Sequence, residues 1–286
     1  MRVHRLSSAT VTAAATAVLI FGLSPGVFGQ APFAPFSTTG VLRFKVTGTP
    51  PTPTYWSAGH GDITAEYHEG NWEFGYHFGE PDKTQATGGG TPAFRAGDQN
   101  EYEAGDLTVY VPDNVNSQFS RPAGSSWAFT GVASGAAMHR IPSTEFVNLP
   151  YVGFAAEDLN PLDGWGPMNF RLDSVSATAL DGTTPITASI SVWETDFQGN
   201  PLVGWSSFDP STTAGGLNTF EVPAGDHEHF NIGFSAPGIY NVAVTVSAVP
   251  EPAAVGVATA GVIGLFGFAL RRFRRQARHT GEHRAS

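Results

Sequence analysis

Apolar and polar residues alternate in short runs along most of this chain, and runs with a helical period are nearly absent. Residues 41–48, 62–68, 72–78, 107–111, 127–132, 170–180, 187–193, 220–222 and 239–246 each read as a strand. Stretches rich in Gly, Pro and Thr, at 50–54, 84–97 and 211–218, read as loops between them. Strands at this spacing predict an all-β sandwich or barrel. No internal repeat or linker interrupts the pattern, so residues 38–247 are expected to form one domain.

The run from Asp62 to Phe78 can be read in register. If Gly70-Asn71 is a two-residue turn, Tyr67 faces Phe74 and Thr64 faces His77. Alternation then puts Ile63, Ala65, Tyr67, Trp72, Phe74, Tyr76 and Phe78 on a core face. The opposite face carries Asp62, Thr64, Glu66, His68, Glu73 and His77, and His60 has the same parity. That polar face is expected first to be a solvated sheet surface. The sharper expectation is a surface that attracts cations.

The same reading applied to "GDHEHFNIGF" gives a second amphipathic strand over 226–234. His227, His229 and Asn231 point one way; Phe230, Ile232 and Phe234 point the other. Two imidazoles two residues apart lie about 6.5–7 Å from each other along a strand. Tilted inward, they can converge on one ion at the ~2.0–2.1 Å typical of Zn²⁺–N bonds. A third histidine or a carboxylate from elsewhere would complete the shell. The alternative is that both rings make structural hydrogen bonds or face solvent. Neutral imidazole is the ligand, so binding is expected to weaken in acid.

Composition narrows the setting. The chain has no cysteine, which excludes disulfides and thiolate metal sites. Residues 30–249 hold seven Lys/Arg against 23 Asp/Glu, a net charge of −16 that the whole-chain −10 conceals. Such a body repels nucleic acid and attracts cations. The missing basic residues are at the ends. Arg2 and Arg5 precede an apolar stretch and a Ser24-Pro25-Gly26 break, with small Val27 and Gly29 after it. This is the layout of a secretory signal peptide over 1–29. At the other end, 253–270 carries no charge and is followed by Arg271, Arg272, Arg274 and Arg275. Eighteen helical residues just span a bilayer core, and the arginines form a membrane stop.

That tail resembles a PEP-CTERM sorting signal over 249–275, with the motif at Pro250, Glu251 and Pro252 and a polar cytoplasmic tail at 276–286. The resemblance implies an exosortase as partner, transient anchoring in the inner membrane through 253–270, and delivery to the cell surface or extracellular matrix. "SAPGIY" followed by alternating valines is similar to the corner before a late strand in immunoglobulin-like sandwiches. There the tyrosine hydroxyl bonds back to the corner. The expected fold is therefore an immunoglobulin-like antiparallel β-sandwich, flanked by a signal peptide and a single transmembrane sorting helix. The stretches 225–240 and Gly59-His60-Gly61-Asp62-Ile63 resemble the signatures of choice-of-anchor M bacterial surface proteins. Carried over by position, this resemblance implies a metal site of His60, Asp62, His227 and His229, with Asn231 behind it. It also implies a link to a metal-uptake system.

The expectation is a non-enzymatic surface protein that binds a divalent metal, zinc above others. The alternative is a structural or adhesive protein of the exopolysaccharide matrix without specific metal binding. There is no Gly-x-Ser-x-Gly elbow, phosphate-binding glycine loop or His-Glu-x-x-His helix. A metal-dependent hydrolase would need Glu228 or Glu66 as a base, and Glu228 has the wrong parity on a regular strand. No nucleic-acid partner is expected.

Overall fold

The computed structural model describes residues 34–51, 55–68, 70–78, 101–216 and 218–250. The expected signal peptide, the membrane-spanning stretch, the sorting residues Glu251 and Pro252, the four stop arginines and the polar tail lie outside these. Among the described residues, no helix is long and apolar enough to cross a membrane.

The fold is all-β: the described residues form sixteen strands in three sheets, with only short 3-10 turns between them. The spine of the first sheet is β16 (Gly238–Pro250), whose alternation is what the sequence predicts. Tyr240, Val242, Val244, Val246 and Ala248 are fully buried on one side. Each such valine stabilises the fold by about 1.5–3 kcal/mol. Antiparallel to it on either side lie β1 (Phe36–Val46) and β10 (Trp165–Thr178). The sheet continues through β13 (Thr219–Val222) beyond β10, and through β6 (Thr108–Val111) and β2 (Tyr55–Trp56) beyond β1. The second sheet runs β12 (Pro201–Ser206), β11 (Ile190–Thr195), β15 (Asn231–Phe234), β8 (Ala137–Ile141), β7 (Gln118–Ser120). The third runs β14 (His227–His229), β9 (Pro150–Ala155), β3 (Gly59–His68), β4 (Asn71–His77), β5 (Glu101–Glu103).

All three sheets contribute to one core, with Phe44 and Val244 from the first, Val192 and Phe234 from the second, and Ile63 and Phe154 from the third. A satellite cluster joins Trp127, Phe129, Met138 and Trp193. The tyrosine corner is present. Tyr240 Oη donates to Ala236 O at 2.6 Å and accepts from Ala236 N at 3.2 Å.

Four expectations need correction. Pairing is not purely antiparallel, because β6 runs parallel to both β1 and β2, and β9 runs parallel to β3. Residues 125–130 form a 3-10 turn rather than a strand, bounded by Gly124 and by Gly131 in the left-handed region. Trp127 and Phe129 are both buried in the satellite cluster, which imitates strand alternation in the sequence. The β3–β4 hairpin pairs His68 with Asn71 and Tyr67 with Trp72, two residues out of the expected register. A two-residue slip keeps every side chain on its expected face. The fourth correction concerns the polar face. Asp62, Thr64 and Glu66 are only 7%, 4% and 6% exposed, so this part of the sheet is not a solvated surface.

A candidate metal centre on the third sheet

The predicted strand over 226–234 is two strands. His227–His229 pairs with β9 in the third sheet, and Asn231–Phe234 pairs with β11 and β8 in the second. The chain changes sheets at Phe230, which is buried in the common core. This break separates Asn231 from the histidines it was grouped with. Its Oδ1 accepts from Arg140 Nη1 at 3.1 Å and Ser143 N at 3.4 Å, and its amide donates to Ser143 Oγ and Trp193 O. Those are partners on the second sheet and its loops, not the imidazoles.

The other four residues come together, and β9 is the reason. It lies between β3 and β14, pairing His60 with Tyr151, Asp62 with Gly153, and Ile63 with Phe154 on one side. On the other it pairs His229 with Gly153 and His227 with Ala155. Directly paired residues share a sheet face. Asp62, Gly153 and His229 therefore form one row across three strands, with His60 and His227 on the same face. Segments far apart in sequence meet because a third strand bridges them.

The ring centroids of His60 and His229 are 5.0 Å apart, those of His60 and His227 5.6 Å, and those of His227 and His229 5.3 Å. One ligand nitrogen from each ring lies within 4.8 Å of the others. Four ligands at ~2.05 Å in a tetrahedron are about 3.3–3.4 Å apart. Small ring tilts thus bring the imidazoles onto one ion. Asp62 Oδ1 is already 3.4 Å from His60 Nε2, the edge length of such a tetrahedron.

The floor of the site is a glycine. A Cβ on Gly153 would sit 1.8 Å from Asp62 Oδ1 and 3.0 Å from His229 Cε1. Its absence leaves a pit that the carboxylate and the imidazole share. Asp62 Oδ1 and His229 Nδ1 are both buried and make no hydrogen bond, Asp62 Oδ1 having only the longer ion-pair contact with His60 Nε2. Burying a polar atom without a hydrogen bond costs about 1–3 kcal/mol. Burial lowers the pKa of His229, with the Val152 backbone and Asp62 acting in the opposite direction and His60 and His227 adding to the fall. The shift favours the neutral ring, the form in which an imidazole can act as a metal ligand.

Three neighbours shape the site, and none was foreseen from the sequence. Tyr151 stacks on His229 with centroids 3.7 Å apart and planes 8° from parallel. Gly153 provides the space. Glu157 Oε1 is 2.9 Å from His227 Nδ1. Their shared signal is the segment "PYVGFAAE", which is buried on both faces over most of its length and so lacks the alternation used to find strands. Beside the pit, His77 Nδ1 lies 2.7 Å from Glu66 Oε1. That hydrogen bond, aided by the charges of Glu66, Asp62 and Glu157 against burial, raises the pKa of His77 to about 9.

Comparison with protein-family models, curated proteins and solved structures yields no match to this chain. The chemistry of the site rests on its own geometry.

Proposed function

We propose that this chain is an exported, surface-sorted, non-enzymatic protein that binds one divalent cation, zinc, through His60, Asp62, His227 and His229. The observation that carries the reading is the cluster of three imidazoles, each with a ligand nitrogen within 4.8 Å of the others, beside the buried Asp62 Oδ1 above the Gly153 floor; Asp62 Oδ1 and His229 Nδ1 make no hydrogen bond. A cation satisfies both atoms at once. Imidazole and carboxylate donors in a four-ligand set suit Zn²⁺, and the set contains no soft sulfur. Asp62 neutralises one of the two positive charges, and Glu157 lies next to His227.

The non-enzymatic reading draws on the fate of the two bases a hydrolase would use. Glu66 is hydrogen-bonded to His77. Glu228 lines a separate cavity of about 680 Å³ with Glu194, Phe220 and Phe230. The immunoglobulin-like classification draws on the Tyr240 corner, within a three-sheet arrangement that includes parallel pairs. The signal peptide, the sorting tail with its exosortase, and surface localisation draw on the sequence of the two ends. Pro250, the first residue of the proposed sorting motif, is also the last residue of β16 and of the described residues. The physiological partner in this reading is a metal-uptake system or the surrounding exopolysaccharide.

Equilibrium dialysis of the full-length chain against Zn²⁺ tests the reading. One equivalent should bind, and the His227→Ala/His229→Ala double variant should lose it. Equal binding by both chains would end the zinc reading and leave a matrix protein without a specific metal.

A further inference from the structure

We infer that Glu157 is the positioning residue of the cation site, fixing which nitrogen of His227 faces the metal. This inference rests on the zinc reading. His227 is the most exposed of the three imidazoles, with 40% of its side chain open to solvent. An imidazole so placed can rotate and present either nitrogen or neither. Glu157 removes that freedom. Its Oε1 lies 2.9 Å from His227 Nδ1, so Nδ1 carries the proton and donates. The lone pair is then on Nε2, the nitrogen left to the ion. A carboxylate behind a metal-bound histidine also makes the ring a stronger base and a better ligand.

The backbone places Glu157 for this task. The residue just before it, Ala156, is clamped to the start of β14 by two hydrogen bonds. Ala156 N donates to Asp226 O at 2.8 Å, and Gly225 N donates to Ala156 O at 2.9 Å. One residue earlier, Ala155 is the direct partner of His227. The carboxylate therefore approaches from a strand end held against the strand it serves. The three rings thus have three different supports, since His229 is stacked on Tyr151 and His60 Nε2 faces Asp62. Glu157 is half exposed, so removing it alters no core packing.

The test uses the full-length chain and three variants. In Glu157→Ala, Zn²⁺ affinity measured by chelator competition should fall about 10–100-fold, the usual effect of losing such a partner. Glu157→Gln, whose amide oxygen still accepts from Nδ1, should recover part of that loss. Glu145→Gln is the charge control. Glu145 is an exposed carboxylate whose field reaches Tyr151, and its loss should change affinity less than threefold. An independent readout is the metal-free protein in ¹H–¹⁵N NMR. His227 should be the Nδ1–H tautomer in the wild type and lose that preference in Glu157→Ala. Zinc binding that is tight in the wild type and unchanged in Glu157→Ala would overturn this inference alone. Absence of zinc binding in the wild type would overturn the metal reading and this inference with it. A loss equal in Glu157→Ala and Glu145→Gln would reduce Glu157 to general electrostatics and also overturn it.

Discussion

Gly153→Ala adds one methyl group to the floor of the site. The added Cβ would lie 1.8 Å from Asp62 Oδ1, whereas ordinary contacts begin near 3.4 Å. The carboxylate must retreat by about 1.5 Å, several times the ~0.2 Å by which metal–ligand distances vary in working sites. His229 Cε1, at 3.0 Å, must also shift by a few tenths of an ångström. The backbone does not object, because Gly153 lacks the positive φ that disfavours alanine. In a strand, Gly→Ala is itself favourable by about 0.5–1 kcal/mol. Asp62 can rotate away, so the overpacking cost should be at the low end of about 1–3 kcal/mol. The two effects nearly cancel for folding, whereas the displacements of Asp62 and His229 both act against binding. The variant should therefore melt within a few degrees of the wild type yet lose more zinc affinity than the 10–100-fold typical of outer-shell changes. Denaturation followed by tryptophan fluorescence checks the first statement, and chelator competition the second. Wild-type zinc affinity in a folded Gly153→Ala chain would refute the pit as the place where the cation sits.

Other consequences follow from contacts at and around the site. Tyr151→Leu removes the ring stacked on His229; such aromatic pairs contribute about 0.5–1.5 kcal/mol. Zinc affinity should fall by about two- to tenfold in the same competition assay, and an unchanged value would show that the stack does not orient His229. His77 should titrate in NMR with a midpoint near 9. Because its folded pKa is raised, the stability it contributes is fully present below the ordinary histidine value of 6.5 and is lost as pH rises through about 9. A midpoint near 6.5 would mean the Glu66 bond does not hold in solution. Tyr240→Phe deletes the corner hydrogen bonds to Ala236 and should cost about 1–2 kcal/mol. In thermal unfolding that is a drop of roughly 2–8 °C, and no drop would deny the corner a structural role.

The sequence carried the candidate ligands more clearly than the frame that gathers them. β16 was legible because one face is buried and the other is not, giving clean alternation from Tyr240 to Val246. The same held for the β3–β4 hairpin, where the register was displaced but the faces survived, since the displacement was two residues. The His60/Asp62 and His227/His229 pairs were each recognisable as residues of one parity. Their meeting depends on β9, whose run of buried residues gives no period to detect. Tyr151, Gly153 and Glu157 are on or just after that strand, so the support of the site was hidden with it. Asn231 was misgrouped because alternation continues through Phe230 in the sequence, while the chain there leaves one sheet for another. The burial of Asp62, Thr64 and Glu66 was also out of reach, because charged residues on a sheet face ordinarily indicate solvent.

Zinc K-edge X-ray absorption on the full-length chain loaded with one equivalent of Zn²⁺ addresses the central claim most directly. The account predicts a four-coordinate shell at about 2.0–2.1 Å, with the multiple-scattering pattern of three imidazoles and one oxygen ligand. A six-coordinate all-oxygen shell without imidazole scattering would contradict it.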